Sequence, residues 1–183
     1  SIKGKVIPVT MNQVRLKMLL DNGKLLDGEG EIYVSKEISS GFKSIYLEPF
    51  PKADNHAIDE IMNADLIIFG PGGLYTSLIP MLLVDGIPKA LRETKAKKVF
   101  IVNLMNKYGQ TPHFKVGDYL REIRKYLGKD VFDYIIVNNL KPAKELVELY
   151  SQEGDLVEND LKNDSRIILT DLLENKKAEY DSK

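Results

Sequence analysis

The segment Ala64-Asp65-Leu66-Ile67-Ile68-Phe69-Gly70-Pro71-Gly72-Gly73-Leu74-Tyr75-Thr76-Ser77-Leu78-Ile79-Pro80 decides the fold class of this chain. Residues 66–69 are an unbroken apolar run, the pattern of a strand buried on both faces in a parallel sheet. A Gly/Pro-rich turn closes the run, and Gly72 and Gly73 tolerate positive φ there. Helical sequence follows, opening on Thr76-Ser77 as cap, with Pro80 in the first turn where proline is tolerated. Strand, tight turn and helix in that order bring free backbone N–H groups and two hydroxyls to the carboxyl end of a strand. In α/β proteins a phosphate-bearing ligand sits at that place.

The same alternation spreads outward from this segment. Residues 54–62 are helical in period with Asp54 as cap, and 87–93 form a short helix. Residues 98–102 are a second buried strand ending at Asn103, and 134–137 a third ending at Asn138-Asn139. Between them, residues 116–127 read as an amphipathic helix with Gly128 just past its end. Pro142 opens a helix over 143–150, and 156–157 and 166–169 are late strands. Alternation over 54–150 implies right-handed βαβ units and a doubly wound α/β core, a parallel sheet with helices on both faces.

The first fifty residues read differently. Residues 5–10 suggest a short strand, 13–19 alternate with period two, and Asp21-Asn22-Gly23 is a hairpin turn from which 24–27 return. Residues 31–34 and 43–47 look like two more strands. The expected organisation is one α/β domain: a β-rich lobe over 1–50, a strand–helix core over 51–170 and a charged tail over 171–183.

Composition narrows the function classes. Of 183 residues, 43% are hydrophobic and 29% charged, and the net charge of −1 gives no global pull toward nucleic acid or an anionic membrane. The absence of cysteine removes disulfides, iron–sulfur clusters and thiolate zinc sites. The longest apolar stretch, residues 78–84, is broken by Pro80 and too short to cross a bilayer. No signal peptide is legible, so a cytoplasmic protein without membrane insertion is expected. The abrupt opening, with no cap or helix before Val6, suggests a fragment.

Chemistry concentrates at strand ends. Gly70, Asn103 and Asn138 terminate three strands of one parallel sheet, so they face one crevice, and an asparagine reads donors and acceptors of a base or sugar without adding charge. Each of these features is equally an ordinary connection or turn cap. The polar loop 103–114 is long enough to cover a ligand, with Lys107 to meet a phosphate and Tyr108 to stack on a base, although solvation is the better reading of Lys107. His56 and His113 lack partners at metal-ligand spacing and read as surface residues. Lys95, Lys97 and Lys98 read as a solvated face, and no Ser-His-Asp set is present.

These blocks resemble one family. Residues 5–10, the stretch Ala64 to Ser77, residues 80–87 and 94–99, Asn103-Leu104-Met105 and Gly109-Gln110-Thr111 are together similar to the YvcK (gluconeogenesis factor) family, whose relatives include CofD-type 2-phospho-L-lactate transferases. The similarity covers nearly the whole chain, and its most specific block is Gly-Pro-Gly-x-Leu-Tyr-Thr-Ser. The resemblance implies a Rossmann-like protein that binds a nucleotide-linked small molecule of UDP-sugar type, with a role in cell shape and cell-wall precursor metabolism. Its alternative is a CofD-like phospholactyl transferase of deazaflavin coenzyme biosynthesis, using Mg2+. The implied ligand set is Gly70, Pro71, Gly72, Gly73, Leu74, Tyr75, Thr76, Ser77, Asn103, Met105, Thr111 and Asn138, with no catalytic or metal-ligating residue assigned. A homo-oligomer is compatible with this reading. Such families open with a Gly-Gly-Gly-Thr-Gly loop and an Asp-Asp-Gly-Gly segment, and both are absent here, so the chain matches the C-terminal part and half of the nucleotide site is expected to be missing. Gly73 stands where serine is usual, Gln110 where glutamate is usual and Pro112 where aspartate is frequent.

Overall fold

The computed structural model describes residues 3–173, and the expectation for residues 174–183 of the tail lies outside them. Strand β1 (Arg15–Leu20) turns at Gly23, whose φ is 87°, and pairs antiparallel with β2 (Leu25–Asp27). Strand β3 (Phe42–Glu48) pairs along the opposite edge of β1, giving the order β2-β1-β3. Period two in β1 puts Leu16, Met18 and Leu20 on one buried face, where Leu47 stands opposite Leu16 and Ile45 opposite Met18.

Two expected strands of this lobe are not strands. Residues 29–34 form helix α1 (Glu29–Val34), entered through Gly28 at φ 112°. Ile32 is the buried residue of that stretch, so alternation has no second face to serve, and the Glu31 carboxylate reaches back to accept the Asp27 N–H at 2.9 Å. Residues 5–10 lie without a ladder along 52–54: Thr10 Oγ1 donates to the Lys52 carbonyl at 2.7 Å, and the Asp54 N–H donates to the Val9 carbonyl at 2.9 Å.

The core is a parallel sheet flanked by helices. Strands β4 (Leu66–Phe69), β5 (Lys97–Ile101), β6 (Tyr134–Asn138) and β7 (Ile167–Thr170) run parallel in the order β4-β5-β6-β7. Helix α2 (Asn55–Asn63) precedes β4, and α3 (Ile79–Leu82), α4 (Ile87–Glu93), α5 (Val116–Leu127) and α6 (Lys144–Tyr150) lie between the strands in sequence. Asp54 caps α2 by accepting the His56 N–H at 2.8 Å, and Gly128, left-handed at φ 79°, ends α5. The expected boundaries of β4, α4 and α5 coincide with these. Residues 156–157 take part only in an isolated bridge, Leu156 to Met105.

Register places Phe69, Phe100 and Ile135 side by side on the buried face. Phe132 stacks on Phe100 with centroids 5.3 Å apart and meets Phe69 edge-on at 5.0 Å. One cluster of buried side chains runs from Met18 and Ile32 through Leu74 and Tyr75 to Ile123, Phe100 and Ile135, so the β-lobe and the sheet share a core. The expectation that β4 is buried on both faces fails: β4 is the edge of the described sheet, and Leu66 and Ile68 remain exposed on its far face. Lys98 is a second correction, because it is buried. Its ammonium donates to the carbonyls of Ala96 (2.7 Å) and Thr94 (3.2 Å), which replace water around the charge.

Arg166 fixes the entry to β7. Its guanidinium binds Asp164 (2.7 Å) and Asp130 (2.8 Å) and donates to the Phe132 carbonyl. The side-chain hydrogen bond from Arg166, followed by its backbone N–H, pulls the Asp164 carboxyl down to about 2. A folded value below the ordinary one gives stability that is present above about pH 4 and is lost as pH falls toward about 2. Asp164→Asn is therefore expected to flatten the Tm-against-pH curve over that acid interval and lower Tm at neutrality. Parallel acid limbs for the two proteins in a thermal-denaturation series would show the pair to be energetically silent.

Candidate ligand-binding site

The site is built at the carboxyl edge of the parallel sheet. Chain leaving β4 enters the 70–77 turn, chain leaving β5 reaches Asn103, and β6 ends on Asn138. Neither Gly72 nor Gly73 uses the positive φ expected of it: Gly73 sits at φ −58°. A Cβ at 73 would lie 2.2 Å from Thr76 Oγ1, so a larger residue there requires the Thr76 side chain to turn. A Cβ on Gly70 would meet nothing within 4 Å, so the backbone there faces open space.

The helix after the turn also departs from expectation. It opens at Leu74 with Gly73 at the cap position, as a π-helical turn Leu74–Leu78 that continues into α3. The Gly73 carbonyl accepts from both Ser77 N–H (2.8 Å) and Leu78 N–H (3.1 Å). Thr76 and Ser77 lie inside this turn and make no side-chain cap. The wide turn buries Leu74, Tyr75, Thr76 and Leu78 while Ser77 stays exposed beside Pro71 and Gly73. Single π turns of this sort recur at functional sites.

Asn103 ties the turn to β5. Its Nδ2 donates to the Gly72 carbonyl at 2.9 Å and its Oδ1 accepts the Gly72 N–H at 3.4 Å, so one amide satisfies both backbone groups of one residue. Asn138 brackets the far side: Nδ2 donates to the Leu140 carbonyl at 2.5 Å and Oδ1 accepts the Leu172 N–H at 3.0 Å. Between them opens a cavity of about 590 Å³ lined by Asn103, Met105, Tyr108, Asn138, Pro142 and Leu156 among others. Residues 154–158 also line this cavity, and no sequence motif marked them.

Of the expected residues only Asn103, Met105 and Asn138 line this cavity; Gly70, Pro71, Gly72, Gly73, Leu74 and Ser77 do not, and the rest lie elsewhere. Thr76 and Pro80 line a different groove with Arg15 and Gly28, and Tyr75 faces a third cavity against α5. Thr111 is in the core: its hydroxyl accepts the Lys107 N–H at 3.1 Å and lies 3.3 Å from the Tyr119 hydroxyl. Tyr119 in turn donates to Asn106 Oδ1 at 3.0 Å, and Asn106 Nδ2 donates to the Phe114 carbonyl at 2.9 Å. This buried network packs loop 103–114 down as part of the fold rather than as a cover. Lys107 lies over the Tyr33 ring, 2.9 Å from its centroid, instead of facing the cavity. His56 and His113 are surface residues beside Glu60 and Asp155.

The family model for 2-phospho-L-lactate transferase CofD matches residues 1–174. The chain belongs to the CofD family. Within that family it resembles the proteins named as gluconeogenesis factors: it is 38% identical to one from Thermotoga maritima over 174 residues, 93% of this chain and 54% of that protein. It is 34% identical to the gluconeogenesis factor of Bacillus subtilis over 159 residues, 84% of this chain and 48% of the relative. A crystal structure of a UPF0052 protein from Bacillus halodurans superposes with a TM-score of 0.84 at 30% identity, covering 96% of this chain and 57% of that one. The chain thus spans about half the length of the relatives it matches.

Two chemical features of the loop and its surroundings bear on a ligand. Gln110 is buried, and its Nε2 donates to the carbonyls of Ile32 and Tyr33, both at 3.1 Å. Those are orphan carbonyls at the end of α1, and a glutamate at 110 could not donate to them. Among the described residues, no group of three or more His, Cys, Asp or Glu side chains converges to hold a metal ion. No helix among the described residues is long and apolar enough to cross a membrane.

Proposed function

We propose that this chain is a nucleotide-sugar-binding regulatory module of the gluconeogenesis-factor type, linked to cell shape and cell-wall precursor metabolism. A UDP-sugar is its ligand class, held at the sheet's carboxyl edge. The reciprocal Asn103–Gly72 pair carries this reading, because it fixes an open glycine turn beside a cavity of ligand size at the end of a parallel strand. Tyr108, on the cavity wall, is the ring offered to the base, and the half-buried Gly70 backbone and the exposed Ser77 hydroxyl, which lie outside the cavity lining, are the groups offered to phosphate oxygens. The names of the relatives support the gluconeogenesis-factor part of this reading.

The test is isothermal titration of UDP-N-acetylglucosamine into the longest natural polypeptide containing this chain. Asn103→Leu removes both bonds to Gly72 and is expected to weaken binding at least about tenfold, with a stability loss of about 1–2 kcal/mol. Asn103→Asp keeps the acceptor for the Gly72 N–H and is expected to fall between. Saturable binding untouched by Asn103→Leu would place the phosphates elsewhere, and no saturable binding by the native protein would end the proposal.

The family model supports a second reading, a phospholactyl transferase. Among the described residues no three or more ligand side chains converge, so in that reading substrate phosphate or groups outside them would complete the metal's coordination. Metal-dependent turnover of a phospholactyl donor by the longest natural polypeptide would favour it.

A further inference from the structure

At the amino-terminal end of the parallel sheet, opposite Asn103 and Asn138, the turn from α4 into β5 and the turn from α5 into β6 enclose a groove of about 360 Å³. Its charged lining is Arg92, Lys95, Lys98 and Lys129 against Asp130 and Asp133. Both carboxylates are already committed. Asp130 Oδ2 accepts from Arg166 Nη1 at 2.8 Å and its Oδ1 accepts the Phe132 N–H at 3.1 Å. Asp133 Oδ1 accepts from the Lys97 ammonium at 2.7 Å and its Oδ2 accepts the Lys98 backbone N–H at 2.9 Å. Neither Arg166 nor Lys97 lines the groove, so each acid is neutralised from outside it.

The lining cations have no such partners: none of them forms an ion pair among the described residues. Lys98 is only 6% exposed, and the Thr94 and Ala96 carbonyls that accept its N–H bonds satisfy hydrogen bonding without cancelling charge. A charge so buried is screened little by salt, and its field reaches the groove without any contact to a ligand. Arg92 is held by one bond, Nη1 to the Leu127 carbonyl at 2.8 Å, which leaves most of its fork of donors free. Lys95 and Lys129 are exposed at the rim and make no side-chain hydrogen bond among the described residues. A cation is repelled here and a neutral molecule gains nothing from the field. A compact anion with several acceptor oxygens suits one guanidinium fork and two mobile ammonium groups.

We propose that this groove is a second ligand site, for a phosphate-type anion held by Arg92, Lys95 and Lys129 beside the buried Lys98 charge. Inorganic phosphate, pyrophosphate and the phosphoryl group of a small metabolite share that chemistry. The site is separate from the carboxyl-edge site and does not depend on its occupant. Strand β5 joins the two, with Lys98 near its start and Asn103 just past its end.

The experiment titrates pyrophosphate, inorganic phosphate, glucose 6-phosphate and acetate, each up to about 10 mM, into the longest natural polypeptide containing this chain at low salt. Pyrophosphate is expected to bind saturably, and acetate, a monoanion with only two acceptor oxygens, is not. Glucose 6-phosphate binding like inorganic phosphate would point to a metabolite's phosphoryl group, and its exclusion to the free anion; both outcomes support the site. The double variant Lys95→Gln/Lys129→Gln changes two exposed side chains and leaves the fold in place, and it is expected to weaken pyrophosphate by about tenfold or more. Arg92→Gln is expected to weaken it similarly, while Asn103→Leu leaves it unchanged. Amide chemical shifts are expected to move at Thr94, Lys95, Ala96 and Lys129. Absence of saturable pyrophosphate binding, equal affinity in the double variant, or shifts confined to Gly72 and Asn103 would each overturn the proposal, the last by placing the anion at the carboxyl edge.

Discussion

Alanine in place of Phe100 is expected to cost about 3–5 kcal/mol of folding stability, the usual range for truncating a fully buried aromatic. Phe100 is completely buried in the central part of β5, in register between Phe69 and Ile135. Its ring stacks on Phe132, which itself meets Phe69 edge-on, so removal leaves two further rings with an open side. The surrounding strands are held by ladders on both edges of β5 and cannot collapse into the void. For a chain of this length the loss corresponds to a fall in Tm of about 10 °C. Chemical denaturation with an unchanged slope and a lower midpoint would check it. A loss below about 1 kcal/mol would mean that the ring cluster relaxes around the gap.

Gly154→Ala is expected to be nearly as severe and to damage the candidate site directly. A Cβ at 154 would stand 1.8 Å from the Asn106 carbonyl oxygen and 2.6 Å from its carbon, both backbone atoms that no rotamer change can move. Around that contact, Asn106 N–H donates to Asp155 O (2.7 Å), Tyr108 N–H to Glu153 O (2.8 Å) and Val157 N–H to Leu104 O (3.0 Å). Separating the segments to admit a methyl group sacrifices bonds worth about 1 kcal/mol each, for a loss of about 2–4 kcal/mol. The same displacement moves Tyr108 and Leu156 on the cavity wall, so UDP-sugar affinity should fall together with stability. Amide hydrogen exchange at Asn106, Tyr108 and Val157 would rise if this is right. Native protection at those three amides in the variant would refute the mechanism.

The candidate site was legible only in part. Asn103 and Asn138 were readable as strand ends facing one edge, because an unbroken apolar run followed by asparagine marks both the strand and its exit. Their partners were not readable: that Asn103 grips both backbone groups of Gly72 depends on β4 and β5 being neighbours in register. Thr111 looked available in a polar loop, yet Tyr119 and Asn106 draw it into the core, a satisfaction problem solved across eight residues of sequence and one helix. Tyr75 and Thr76 sit one residue apart and face different cavities, since the π-helical turn redistributes directions that an α-helix would have assigned otherwise. Lys98 was read as solvated because a charge beside two other lysines gives no sign of the carbonyls that enclose it.

Local chemistry by itself determined the elements whose reasons are local. The apolar runs fixed β4, β5 and β6, Asp54 and Gly128 fixed helix ends, and Asp21-Asn22-Gly23 fixed the hairpin, because backbone propensity and burial period act within a few residues. Membership of the CofD family was likewise carried in contiguous blocks. Tertiary structure alone decided which residues share a cavity, which asparagines hold backbone, and why residues 29–34 coil instead of extending. Those outcomes depend on contacts between residues tens of positions apart, where hydrogen-bond satisfaction and packing are settled by neighbours that the order of the chain does not name.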